Sequence, residues 1–297
     1  MTATSSPVAS DDNTGFAPIG GAGPVPFVAL TFAISWTIWL GGWLMAGRPG
    51  NLANPGMSAA GYLGTFGPGI AAAILSRRAG RVTAGAWAQG FLRWNIGWRA
   101  TAVVALALPL TVLVLTMLLQ FSPRAPTGPT GHATLAYVAL FPASILLAVV
   151  AGLLGRGPLG EEGGWRGYLL PRLLAQTDAL TSSAVIGVIW AVWQLPIVVV
   201  FADARDGVTL AGYVPLFTLR LIALSYIATT VWRWSRGSLV ACIWLQGMVL
   251  ALSGMAFVPT GWNSPWHMAS GAVPFAVMLW LVAGGLALIQ RRRTGGF

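Results

Sequence analysis

Long apolar runs separated by short polar stretches dominate this chain. A helix that crosses a bilayer needs about 20 mostly apolar residues. Eight stretches approach that length: Val25 to Ala46, Ala59 to Leu75, Thr101 to Phe121, Leu135 to Leu154, Ser182 to Phe201, Tyr213 to Trp232, Ser238 to Val258 and Met268 to Ile289. The second is the shortest and contains Gly67-Pro68. The pattern predicts an all-α polytopic membrane protein of about eight transmembrane helices. Residues 1–23 are small and polar and carry no basic residue. They read as a disordered tail, because a signal peptide needs a positive start ahead of its apolar stretch. Residues 24–290 are expected to form a single transmembrane domain and 291–297 a short cytoplasmic tail. The proline-rich segment Ser122 to Ala133 reads as an outer loop.

Composition agrees with the pattern. Hydrophobic residues make up 56% of the chain and charged ones 8%, against about 25% charged in soluble domains. All 17 basic residues are arginine and the net charge is +10. A nucleic-acid partner is nevertheless excluded, since the arginines are spread over loops that flank the spans instead of forming one patch. Loop charge also orients the chain. With the C-terminus in the cytoplasm, eight spans put the N-terminus there too. Thirteen arginines then face the cytoplasm: 77, 78, 81, 93, 99, 156, 166, 172, 233, 236 and 291–293. Arg48, Arg124 and Arg205 face outward, so the distribution follows the positive-inside rule. The expected location is the plasma membrane of a bacterium. Arg220 is left inside the sixth span, reaching toward Asp203 or Asp206 or facing a cavity. Trp87, Phe91, Trp94 and Trp98 recur at helical spacing. They predict either an amphipathic helix lying on the cytoplasmic surface or one docked on the bundle. The lone Cys242 excludes an internal disulfide, and His132 and His267 read as plain loop residues on the outer side.

The candidate chemistry lies in LGEEGGWRGYLLPRL, Leu159 to Leu173, which holds the only two glutamates. One reading is purely structural. Pro158 can open a helix, acidic residues suit its first turn, and Glu162 and Arg166 stand i, i+4 as an ion pair. The functional reading starts from position. Adjacent helical residues point about 100° apart, so Arg166 can hold Glu162 while Glu161 faces elsewhere. A carboxylate turned into the bundle loses hydration, its pKa rises, and it can serve as a general base toward water. Intramembrane carboxylates are functional candidates by default.

Those residues, Glu161-Glu162-Gly-Gly-Trp165-Arg166-Gly167-Tyr168-Leu-Leu-Pro171-Arg172, resemble the EExxxR motif of the CPBP family, the CAAX-protease and bacteriocin-processing proteins. These are multi-span intramembrane proteases, usually called metalloproteases. The family's second motif, commonly W-x-x-W-H-x-P, is similar to Trp190-Ala191-Val192-Trp193-Gln194-Leu195-Pro196, with Gln194 at the His position. Its third, HxxxN, aligns on Gln246 and Leu250. The resemblance covers roughly residues 152–254. It implies that Glu161 prepares an attacking water and that Glu162 with Arg166 organises the site. Gln194, Gln246, Leu250 and Trp193 would line the pocket. It also implies zinc, but Gln does not titrate and binds borderline metals poorly, so no cofactor is expected in this chain.

Three functions remain open from the sequence. The first is an active, glutamate-dependent intramembrane endopeptidase acting on membrane-associated or prenylated peptides. The second is a family member impaired in catalysis that binds a membrane protein or a lipidated peptide. The third is a transporter of protons or small solutes that uses the carboxylates and Arg220. All three have membrane lipids as partners and none needs nucleic acid. The second is preferred, because all three departures fall on catalytic positions while their flanking helices stay similar to the family.

Overall fold

In the computed structural model of the chain, residues 20–48, 54–111, 157–201, 207–256 and 273–293 are described, with isolated positions at 114, 143, 146 and 150. The described residues are helical with no strand, the expected all-α class. Five helices among them are long and apolar enough to cross a membrane. Most of the expected fourth span and one end of several others lie outside the described residues, as do Asp203, Asp206, His132 and His267.

Proline and polar caps begin most helices. α1 (Pro24–Met45) starts on Pro24 and α2 (Pro55–Gly64) on Pro55. The Asn54 side chain caps α2 by accepting from the Met57 backbone N–H at 3.2 Å. Proline suits these positions because its missing N–H would have had no helical partner. α3 (Gly67–Arg78) follows α2 after a break of two residues. The two together form one span that is longer than the sequence suggested, Pro55–Arg78. The break is held by α1: Ser35 Oγ donates to the Gly64 carbonyl at 2.7 Å, and a Cβ on Gly67 would stand 1.9 Å from that same oxygen. Helices approach this closely in membranes where small residues face each other.

The face predicted from Trp87, Phe91, Trp94 and Trp98 is not one continuous helix. α4 (Arg81–Gln89) gives way to a tight turn at Gly90–Leu92, and α5 (Gly97–Ala102) follows four residues later. Gly90 and Gly97 disfavour an unbroken helix. The two halves have different surroundings. Trp87 and Phe91 dock on the bundle, while Trp94 and Trp98 are exposed. The docked reading fits the first half of the segment, and the exposed second half does not continue as one amphipathic helix.

After the undescribed stretch the chain resumes at α6 (Pro158–Gly164), passes through a wide π turn at Trp165–Leu169 and ends in α7 (Leu170–Leu174). α8 (Ala179–Phe201) and α9 (Gly207–Trp234) form an antiparallel pair. Gly187 sits so close that its Cβ would stand 2.5 Å from Ile222 Cα, and Ser183 Oγ donates to Thr229 Oγ1 at 2.8 Å. α10 (Leu239–Ala256) and α11 (Val273–Arg293) complete the described bundle. Asp178 caps α8, accepting from the Leu180 and Thr181 backbone N–H groups at 2.8 and 3.0 Å. With the Thr181 hydroxyl also donating to it, the exposed carboxyl is held below its ordinary range. Asp178→Ala is expected to cost about 1 kcal/mol of stability, read as a lower thermal midpoint of the purified protein.

Candidate functional site

Glycines let the short helix α6 sit deep among its neighbours. A Cβ on Gly160 would stand 2.6 Å from Phe66 Cα and from the Thr65 carbonyl oxygen. One on Gly164 would stand 2.4 Å from Pro68 Cβ and 2.6 Å from its carbonyl carbon. This face of α6 therefore lies backbone against backbone on the break between α2 and α3. The other glycines face α4. Trp87 Nε1 donates to the Gly163 carbonyl at 2.8 Å, Phe91 lies over Gly163, and Gly167 lies against the Trp87 ring. The GEEGGWRG run, from Gly160 to Gly167, places a glycine at each of these close approaches.

The two carboxylates are buried and face different partners. Glu162 accepts from Arg166 Nη1 through Oε1 at 2.9 Å, one helical turn away. The Arg166 guanidinium also lies 4.8 Å from the centre of the Trp190 ring. Glu161, 4% exposed, accepts twice on one oxygen. Trp190 Nε1 donates to Oε2 at 2.7 Å and Gln246 Nε2 donates to the same oxygen at 3.1 Å. Trp190 thus ties the two acids together: its N–H holds Glu161, and its ring face holds the arginine that holds Glu162. The second oxygen, Oε1, lies over Gly157, where a Cβ would stand 2.2 Å from it. Gly157 has φ of 101°, a conformation glycine adopts without strain.

Helix α6, seven residues long, is too short to cross a bilayer by itself. Loss of hydration on burial is the largest influence on Glu161, and the nearby Glu162 charge adds to it. The bonds from Gln246 and Trp190 oppose them, as does the Arg166 charge. The net effect pushes the Glu161 carboxyl up to about 8. Such a group exchanges protons near neutral pH, as a general base or acid must.

The other residues singled out in the sequence are placed as follows. Gln194 is half-buried, and no hydrogen bond joins it to Glu161 or Gln246. Trp193 is fully buried but turns toward α1, with its ring centre 4.8 Å from that of Trp39 and 5.6 Å from that of Trp165. Leu250 lies one turn beyond Gln246 and is 43% exposed. Cys242, one turn before Gln246, is buried with Sγ 3.9 Å from the Ala228 carbonyl. Arg220 rests on the rings of Phe275 and Phe217, 4.9 and 5.8 Å from their centres. Trp190, Gly157 and Trp87 complete the centre. The W-x-x-W spacing gave a sequence signal for Trp190, the aromatic face singled out Trp87 without tying it to the carboxylates, and nothing singled out Gly157.

The donor set does not fit a zinc ion. Gln246 turns its NH₂ toward Glu161, Glu162 is engaged by Arg166, and Cys242 faces a carbonyl on α9. No group of three His, Cys, Asp or Glu side chains comes together among the described residues.

Residues 139–252 match the family described as type II CAAX prenyl endopeptidase Rce1-like. No curated protein matches the chain. The matched segment contains Glu161, Glu162, Arg166, Trp190, Gln194, Gln246 and Leu250. The match supports a place in the CAAX-protease and bacteriocin-processing family for this part of the chain. With five spanning-length apolar helices among its described residues the chain is an integral membrane protein of all-α class, and its matched segment is similar to a CAAX-type protease.

Proposed function

We propose that this protein binds a membrane-embedded or lipidated peptide at the Glu161 centre and is impaired in hydrolysing it. The observation that carries this reading is the double engagement of Glu161 Oε2 by Gln246 and Trp190. Neither side chain exchanges protons near neutral pH. Acyl transfer from a peptide needs a group to take the proton of water and one to return a proton to the leaving amine. Glu161 alone is suited to the first task. Where the family carries His, His and Asn, this chain carries Gln194, Gln246 and Leu250. Loss of one acid–base group commonly costs about 10²–10⁴-fold in rate. The site works without a metal in this reading. The bilayer is that of a bacterial plasma membrane, with both termini and the arginine-rich ends of α3, α9 and α11 on the cytoplasmic side. The exposed Arg77, Arg78, Arg236, Arg291 and Arg292 support that orientation.

The test is a peptidase and capture assay on the purified full-length protein, using farnesylated and unmodified peptides that carry a photo-crosslinker. The native protein is expected to capture farnesylated peptide without measurable turnover, and Glu161→Ala to weaken capture. A Gln194→His, Gln246→His, Leu250→Asn variant supplied with zinc is expected to gain turnover. Cleavage by the native protein that disappears in Glu161→Ala would overturn the reading and make the chain an active, glutamate-dependent endopeptidase. Proton or solute flux in proteoliposomes without peptide capture would favour a transporter.

A further inference from the structure

The strap from Arg81 to Arg99 crosses one end of the bundle, and its backbone is fixed from beneath. Trp87 grips the Gly163 carbonyl, and Gly90 lies against Leu239. Arg93 Nη1 donates to the Arg236 carbonyl, and Ser238 Oγ donates to the Arg93 carbonyl at 2.5 Å. The strap therefore joins the end of α3 to the end of α9 and the start of α10. Apolar side chains on its outer side are exposed among the described residues. Val82 is 88% exposed, Leu92 74%, Trp94 66% and Trp98 72%. Arg81 and Arg99 are exposed among them, and the Arg99 guanidinium lies 5.5 Å from the centre of the Trp98 ring. Arg77 and Arg78, also exposed, end α3 just before the strap. Among the described residues, Arg77, Arg78, Arg81 and Arg99 pair with no carboxylate.

We infer that the Arg81–Arg99 strap is a binding surface for anionic phospholipid headgroups. Arg81 and Arg99 meet the phosphates, and Val82, Leu92, Trp94 and Trp98 lie among the upper acyl chains. The mixture of groups selects this occupant. Exposed indole and aliphatic side chains beside unpaired guanidinium groups need an apolar phase and a negative one within a few ångströms, and the bilayer interface offers both. Place points the same way, because the strap begins three residues after the end of a span long and apolar enough to cross the bilayer. An acidic soluble protein would satisfy the arginines but leave the aliphatic residues and indoles in water.

The test is native mass spectrometry of the full-length protein in detergent, titrated with phosphatidylglycerol or phosphatidylcholine. The native protein is expected to retain phosphatidylglycerol preferentially, and raised salt to reduce the preference. Arg81→Gln with Arg99→Gln is expected to lower it by about fivefold for each arginine removed. Arg81→Lys with Arg99→Lys keeps the charge and is expected to restore most of it. Trp94→Ser with Trp98→Ser is expected to weaken retention of both lipids. Unchanged thermal unfolding in each variant separates lost binding from lost folding. Equal retention of the two lipids by the native protein would overturn the inference. So would a preference that survives the glutamine variant.

Discussion

Arg166→Ala is expected to destabilise the protein by about 3–5 kcal/mol, the usual result of leaving one member of a buried ion pair without its partner. Glu162 and Arg166 are both almost wholly out of solvent. Removing the guanidinium strands a carboxylate that has no other hydrogen-bond partner among the described residues. It also removes the cation from the Trp190 ring, and Trp190 is one of the two groups holding Glu161. The double variant Glu162→Leu, Arg166→Met leaves no stranded charge and is expected to recover most of the loss. Thermal unfolding of the purified protein checks both statements. If Arg166→Ala unfolded within about 0.5 kcal/mol of the native protein, as surface substitutions commonly do, the pair would be behaving as an exposed one.

Gly164→Ala is expected to cost at least the upper end of the roughly 1–3 kcal/mol typical of overpacking. The added methyl would meet Pro68 backbone atoms at 2.6 and 2.7 Å, and backbone cannot turn aside as a side-chain tip can. Gly160→Ala meets Phe66 and Thr65 backbone in the same way. Gly167→Ala is the internal comparison. Its methyl would approach the Trp87 ring at 3.0 Å and Leu239 Cδ1 at 3.1 Å, contacts that a small tilt relieves. The expected order of thermal midpoints is native, then Gly167→Ala, then Gly160→Ala and Gly164→Ala. Equal midpoints across the three variants would mean that α6 is not seated on the break between α2 and α3.

These contrasts show where sequence reasoning reached and where it stopped. The all-α membrane class was legible because apolar length leaves little choice. So was the Glu162–Arg166 pair, because i, i+4 spacing on a helix is a local property. The likeness to the family put Gln246 in the same pocket as Glu161 but did not choose its hydrogen-bond partner. The glycines were not legible: Gly160 and Gly163 look alike in sequence, and only the identity of the crossing helix tells backbone contact from ring contact. The break in the Trp87 to Trp98 face was hidden for a related reason. Periodicity counted four aromatics on one side of a helix but carried no information that two would pack under the bundle and two would stay outside. Gly157 escaped notice because its importance depends on where the Glu161 carboxyl comes to rest four residues later.

Cys242 is the only cysteine in the chain and lies fully buried one helical turn from Gln246. That makes it an intrinsic clock for breathing of the bundle. A thiol reagent can react only when α10 parts from α9 and α6, so the labelling rate of the unaltered protein reports how often the Glu161 centre opens. A bound peptide that closes the centre would slow that clock, with no engineered label to disturb the packing being timed.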